Sequence, residues 1–197
     1  IKDLKFFKFD YYHFNNNKFL ISKSGYSKQG GFEIHTDNKI TALELYDYFF
    51  KIGKEFNLKP GTPNHPERIE GGLLSYGNDM DLGDNPLECG FDKYVNLDTD
   101  IMFLGKQSLI KIKKDGIKKK LMGVKVDMKS IFLTESLPIT SNDKQIGELR
   151  SGCYSPYFDQ VIGIAMLNKP NWNANQAIKI KINDQAFDGK VCDLPFI

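Results

Sequence analysis

Apolar and polar positions along the chain fall into two textures. Residues 4–12 are rich in β-formers, Asn15, Asn16 and Asn17 supply turn chemistry, and residues 18–22 read as the return strand of a hairpin. A three-glycine loop follows at residues 25–31, which lets backbone approach a ligand or another segment closely. It lacks the terminal Gly-Lys-Ser/Thr of a phosphate loop. Residues 32–35 resume a strand, setting Phe32 and Ile34 against Glu33 and His35. Thr41-Ala-Leu-Glu44 reads as a capping box opening a helix. Its stripe of Ala42, Leu45, Tyr46, Phe49, Ile52, Gly53 and Phe56 is expected to be core. Residues 59–63, Lys-Pro-Gly-Thr-Pro, break the chain.

A short helix is then predicted, capped by Asn64, with Pro66 in its first turn and Glu67 near its positive end. Ile69, Leu73 and Leu74 fall near one face, and Arg68 lies off it. Arg68 is either a solvated surface residue or a charge lining a cleft made with the Tyr-Gly-Asn-Asp turn that follows. Residues 93–97 look like a strand, and residues 105–114 like a helix ended by Gly116. From Lys118 the texture changes to short strands at residues 121–126, 145–149, 161–166, 177–182 and 186–191. Turns at Ser141-Asn142-Asp143, Lys169-Pro170-Asn171 and Asn183-Asp184 separate some of them. The expected fold is therefore α+β over residues 1–116, followed by an antiparallel β-barrel or sandwich over residues 117–197.

Composition narrows the function. The 197 residues suffice for one or two domains, and a net charge of +2 gives no case for nucleic acid or an anionic membrane. Cys89, Cys153 and Cys192 are odd in number and far apart. With no zinc-ligand spacing, they read as free thiols of a reducing compartment, and no metal is expected. No apolar run spans a bilayer, so a cytoplasmic location is expected. The first residue is Ile1, not Met, which suggests either a removed tag or part of a longer protein. His13 and His65 have no partner pattern. The lysines at 111, 113, 114, 118, 119 and 120 read as a solvated face or a docking site for an anionic tail. Glu33 reads equally as a solvent-facing residue or as a binding carboxylate.

Four blocks in register carry a resemblance. They are Ser-Gly-Tyr-Ser-Lys-Gln-Gly-Gly-Phe-Glu-Ile at 24–34, the run from Glu67 through Leu-Leu-Ser-Tyr-Gly-Asn-Asp to Phe91, Phe-Leu-Gly-Lys-Gln-Ser-Leu at 103–109, and Gly-Glu-Leu-Arg-Ser-Gly-Cys-Tyr-Ser-Pro at 147–156. Together they resemble the aminomethyltransferase family, the T-protein of glycine cleavage and its relatives. Within it, Ser-Lys-Gln-Gly-Gly at 27–31, residues 73–79 and the terminal Val-Cys-Asp-Leu-Pro-Phe-Ile at 191–197 are most similar to the dimethylsulfoniopropionate demethylase branch.

The resemblance implies a three-domain fold around a folate site, ending in a jellyroll-type β-barrel. This chain would supply the C-terminal part of the central α+β folate-binding region and then the barrel. Its N-terminal half, with catalytic residues, would lie elsewhere in the same protein. Tetrahydrofolate is the implied cofactor, with a methyl group passing to it from a sulfonium. Glu33 matches the pterin-binding Glu, and Tyr26 an aromatic lining the folate or substrate pocket. Arg68 matches an Arg near the folate, able to pair with the ligand or hold Glu33; Tyr76 is a further match. Tyr26 stands where the demethylase branch has Trp and His35 where it has Tyr, so both are substrate-binding candidates whose identity bears on the donor. The implied partners are a small-molecule methyl donor and the N-terminal half, with a homodimer left open. The alternatives are an aminomethyltransferase of glycine cleavage, a folate-dependent amine demethylase, and a non-catalytic folate-binding module.

Overall fold

The asparagine turn forms in the computed structural model, which describes every residue except Ser27, Pro63, Asn183 and Asp184. The turn expected at Asn183-Asp184, Ser27 of the glycine loop and Pro63 of the break before the short helix lie outside the described residues. Strands β1 (Phe9–Phe14) and β2 (Asn17–Ser22) pair antiparallel, from Phe9 opposite Ser22 to Phe14 opposite Asn17. Asn15 and Asn16 carry φ of 46° and 62°, the left-handed values that a tight two-residue hairpin needs and Asn tolerates. Strand β3 (Glu33–His35) pairs with the other edge of β2.

Alternation gives this sheet two unlike faces. Tyr12, Phe14, Phe19 and Ile21 share one face, which clusters with Leu45 of helix α1 (Lys39–Ile52). Phe9, Tyr11, Lys18, Leu20, Ser22, Glu33 and His35 share the other. Two expectations for α1 need correction. Its cap is Asn38, whose Oδ1 accepts from the Ile40 and Thr41 amides at 2.9 and 3.2 Å, so Thr41 lies inside the helix. And its apolar stripe is not all core. Leu45 is buried, whereas Tyr46, Phe49, Ile52 and Phe56 are exposed, because a sheet with one three-residue strand is too small to cover fourteen helical residues.

Contacts divide the chain into units Ile1–Asn64 and His65–Ile197. The second opens with α2 (His65–Glu70), in which Arg68, Ile69 and Glu70 are all buried. The strand expected at 93–97 is instead a 3-10 turn, Asp92–Tyr94. The Tyr94 and Val95 amides donate to Phe91 and Asp92 carbonyls three residues back, and Asn96 Oδ1 takes the Asp98 amide, so these groups serve local turns and not a ladder. Helix α3 (Lys106–Asp115) runs between Gly105 and Gly116, with φ of 86° and 81°.

Six strands then close a barrel: β4 (Lys119–Val126), β5 (Leu137–Ser141), β6 (Lys144–Ser155), β7 (Gln160–Asn168), β8 (Ala177–Ile182) and β9 (Gln185–Cys192). The spatial order β4-β7-β6-β5-β8-β9 closes through β4 against β9. The meander β5-β6-β7 with β4 beside β7 is a Greek key. Val124, Ile139, Leu149, Leu167, Ile180 and Val191 fill the interior and are fully buried. Alternation missed only β5, where Pro138 argues against a strand. Pro138 precedes Ile139 and Thr140, the two residues that pair with β8, so its missing N–H removes no bond there. Among the described residues no helix is long and apolar enough to cross a membrane.

Candidate functional site

In the first unit, Glu33 and His35 stand two residues apart on the open face of the sheet. Ser22, opposite Glu33, and Ser24 both donate hydroxyls to Glu33 Oε2, at 3.3 and 2.6 Å. The Ser24 bond holds the carboxyl below its ordinary value, so it is ionised at neutral pH. Glu33 Oε1 accepts no hydrogen bond among the described residues, which leaves one charged oxygen facing outward. His35 lies in a cross-strand row with Leu20 and Tyr11 and lines a cavity of about 560 Å³. Tyr26, in the glycine loop, is 40% exposed. Thus alternation placed Glu33 and His35 on one face correctly.

In the second unit Arg68 is not a surface residue: it is 4% exposed. Its Nη1 donates to Asp79 Oδ2 at 2.6 Å and to the Leu73 carbonyl at 3.3 Å, and its Nη2 to Ser151 Oγ at 3.0 Å. Nε approaches His65 Nδ1 at 3.4 Å, so His65 does have a partner. Burial first, then the neighbouring guanidinium, holds that imidazole below its ordinary value. Asp79 Oδ2 also accepts the Ser75 amide at 2.6 Å, which locks the Tyr-Gly-Asn-Asp turn. Tyr76, on that turn, is 64% exposed.

Two of the four blocks, those at 67–91 and 147–156, are joined to each other by such bonds. The ladder of β6 shifts register between Leu149 and Ser151, and this bulge at Arg150 re-aims its side chain off the strand. Arg150 bonds Asp84 at 2.5 Å, Glu148 at 2.7 Å and the Asp79 carbonyl at 3.0 Å. Asp84 also pairs with Lys119 at 2.5 Å, so one lysine of the basic run is a structural ion-pair partner. Burial alone would raise the Asp84 pKa, but these two cations lower it to about 2. Ser155 donates to buried Glu70 at 2.5 Å, and buried Lys106 donates to the carbonyls of Thr99 and Ile101. Asp79, Asp84, Arg150 and Ser151 were not singled out from sequence. A charged residue between Leu149 and Ser151 in a barrel strand was the available signal.

A two-faced sheet bearing a seryl-held carboxylate, and a Greek-key barrel tied to a Tyr-Gly-Asn-Asp turn, define the architecture against which relatives can be compared. The family model described as the GCVT N-terminal domain matches residues 1–99, and the glycine cleavage T-protein C-terminal barrel domain matches residues 119–197. The chain belongs to the glycine cleavage T-protein family. It is 30% identical over 184 residues to a dimethylsulfoniopropionate demethylase of Ruegeria pomeroyi, covering 93% of this chain and 50% of that protein. It is 32% identical over 199 residues to an aminomethyltransferase of Halothermothrix orenii, covering 100% of this chain and 55% of that protein. The chain thus spans about half the length of these curated relatives. The crystal structure of glycine cleavage system aminomethyltransferase T from Bartonella henselae matches 91% of this chain and 50% of its own, with a TM-score of 0.81 at 20% identity. At that identity the likeness is one of fold.

Proposed function

We propose that the chain is part of a tetrahydrofolate-dependent transferase that moves a one-carbon group from a small donor to tetrahydrofolate, acting with an N-terminal half. The observation that carries this reading is the Glu33 carboxylate, ionised and steered by two serine hydroxyls, with Oε1 open. Such a group suits the N–H donors along a pterin edge, because charge-assisted hydrogen bonds are strong and directional. Bound tetrahydrofolate supplies the nitrogen that accepts the one-carbon group. Glu33 orients the pterin, Tyr26 lines its pocket, and His35 faces the donor. Within the second unit, Arg68 fixes the turn carrying Tyr76 through Asp79. The need for a second half is supported by the coverage of the relatives, about half their length.

Two donors suit this reading. The relative from Ruegeria favours dimethylsulfoniopropionate. A sulfonium is already a good leaving group, so holding donor and acceptor in line contributes most of the catalysis. The relative from Halothermothrix favours an aminomethyl donor of the glycine cleavage type. Tyr26 in place of Trp and His35 in place of Tyr weaken a cation–π cage and so lean toward the second. Incubating the complete protein with tetrahydrofolate and each donor separates the readings. Methyltetrahydrofolate formed from dimethylsulfoniopropionate supports the first, and methylenetetrahydrofolate formed from an aminomethyl-lipoyl protein the second. Turnover of neither, with folate bound, leaves a non-catalytic folate-binding module.

A further inference from the structure

We infer that the outward face of α1, built on Leu43, Tyr46 and Phe50, is the docking surface of the N-terminal half, which closes over it to complete the first unit. The inference rests on the two-half reading above and names the surface on which the halves meet.

The helix carries two apolar stripes, and the sheet covers one of them. Thr41, Leu45 and Tyr48, at i, i+4 and i+7, turn to the sheet. Thr41 and Leu45 are buried there, and the Tyr48 ring centroid lies 4.6 Å from that of Phe14. Leu43, Tyr46 and Phe50, at i, i+3 and i+7, form the second stripe, roughly 160° round the helix from the first. Leu43 is 53% exposed and Tyr46 52%. The Tyr46 and Phe50 rings lie 4.4 Å apart, so this stripe is one joined apolar surface and not scattered side chains. Glu44, Asp47 and Lys51 fill the arc between the stripes on one side. A helix that is apolar on two sides belongs between two layers, and the sheet supplies one.

The core of the first unit is short by the same measure. Its buried cluster is Phe19, Ile21 and Leu45, three described side chains in a unit of 64 residues, whereas the barrel interior holds twelve. Three are too few to offset the conformational entropy lost in ordering such a unit, so a cover on the second stripe adds the burial it lacks.

Two findings point to the occupant. Residues 1–99 match the GCVT N-terminal domain, so α1 lies within that domain. The chain spans about half the length of its curated relatives, which leaves a comparable length of polypeptide to act as the cover. A membrane fits less well. The charged residues of α1 are Lys39, Glu44, Asp47 and Lys51, two of each sign, so no net charge draws the helix to anionic lipid.

The test is thiol labelling of the complete protein and of the 197-residue chain, read peptide by peptide by mass spectrometry. The variants are Leu43→Cys, Tyr46→Cys and, from the polar arc, Glu44→Cys, all at positions exposed in this chain. Labelling of Leu43→Cys and Tyr46→Cys should be about tenfold slower or more in the complete protein, with Glu44→Cys changed by less than about twofold, because a thiol reacts only where the reagent reaches it. Hydrogen exchange makes the same comparison without substitution: residues 39–52 should exchange more slowly in the complete protein. Equal labelling of Leu43→Cys and Tyr46→Cys in the two proteins, with no added protection over residues 39–52, would overturn the proposal. Labelling of the 197-residue chain that slows as its concentration rises would also overturn it, since a second copy would then occupy the face. A tetrahydrofolate titration of the complete protein keeps the two readings apart. Folate binding with the α1 stripe still reactive sinks the docking surface alone; a protected stripe without folate binding sinks the Glu33 assignment alone.

Discussion

Arg68→Met should destabilise the second unit by about 3–5 kcal/mol, the usual loss when one partner of a buried ion pair is removed. The side chain keeps its apolar stem and loses four hydrogen bonds, to Asp79, Leu73, Ser151 and His65. The larger effect falls on Asp79, which is 0% exposed and whose Oδ1 already has no partner. Without the guanidinium its charge would rest on the Ser75 amide alone. At about 2–4 °C per kcal/mol for a chain of this size, the midpoint should fall by roughly 6–20 °C. Trp172 is the single tryptophan and packs against the barrel core, so its fluorescence during urea unfolding reports on this unit. Arg68→Met with Asp79→Asn should recover about 1–2 kcal/mol relative to Arg68→Met, because a neutral amide can still accept the Ser75 N–H without a stranded charge. A loss below about 1 kcal/mol, or no recovery in the double variant, would refute the view that this pair holds the turn.

Acid should act on a second cluster. The Asp84 pKa is lowered to about 2 from 3.8, so its contribution is full above the unfolded value and is lost as pH falls through the folded one. The wild type should lose about 2 kcal/mol more than Asp84→Asn between about pH 5 and about pH 2, measured by urea midpoints; parallel losses would contradict the assignment. Burial pushes the Cys89 and Cys153 thiols up to about 11, and Cys192, half-buried, is raised less. A thiol reagent at neutral pH should therefore label Cys192 first and the other two only on unfolding, whereas equal rates at all three would show the interior thiols to be accessible.

What the sequence disclosed follows from how local each cause is. The hairpin could be read because Asn15 and Asn16 supply its left-handed turn themselves. The faces of β3 could be read because alternation needs only neighbouring residues, and it put Glu33 and His35 on the same side. Arg68 stayed open between a solvated residue and a charge lining a cleft, because its burial depends on Asp79, eleven residues away, and on Ser151, eighty-three residues away. No helical period records such partners. The exposure of the α1 stripe has the opposite origin: the pattern is amphipathic, but the sheet of the first unit is too short to cover it. Pro138 hid β5 because the loss of its N–H could be judged only once its neighbours were known. The blocks around Arg68 and Arg150 hold a turn and a bulge together, through Asp79, Ser151 and Asp84.

The central claim is that Glu33 receives the pterin, and the most direct test is a calorimetric titration of tetrahydrofolate onto the complete protein and onto its Glu33→Gln variant. Glutamine keeps the size and one acceptor but removes the charge, so charge-assisted bonding to the pterin becomes ordinary. The account predicts affinity lower by about tenfold to a hundredfold, the range for losing about 1.5–3 kcal/mol. Equal affinity in the two proteins would contradict it and move the folate site away from this face.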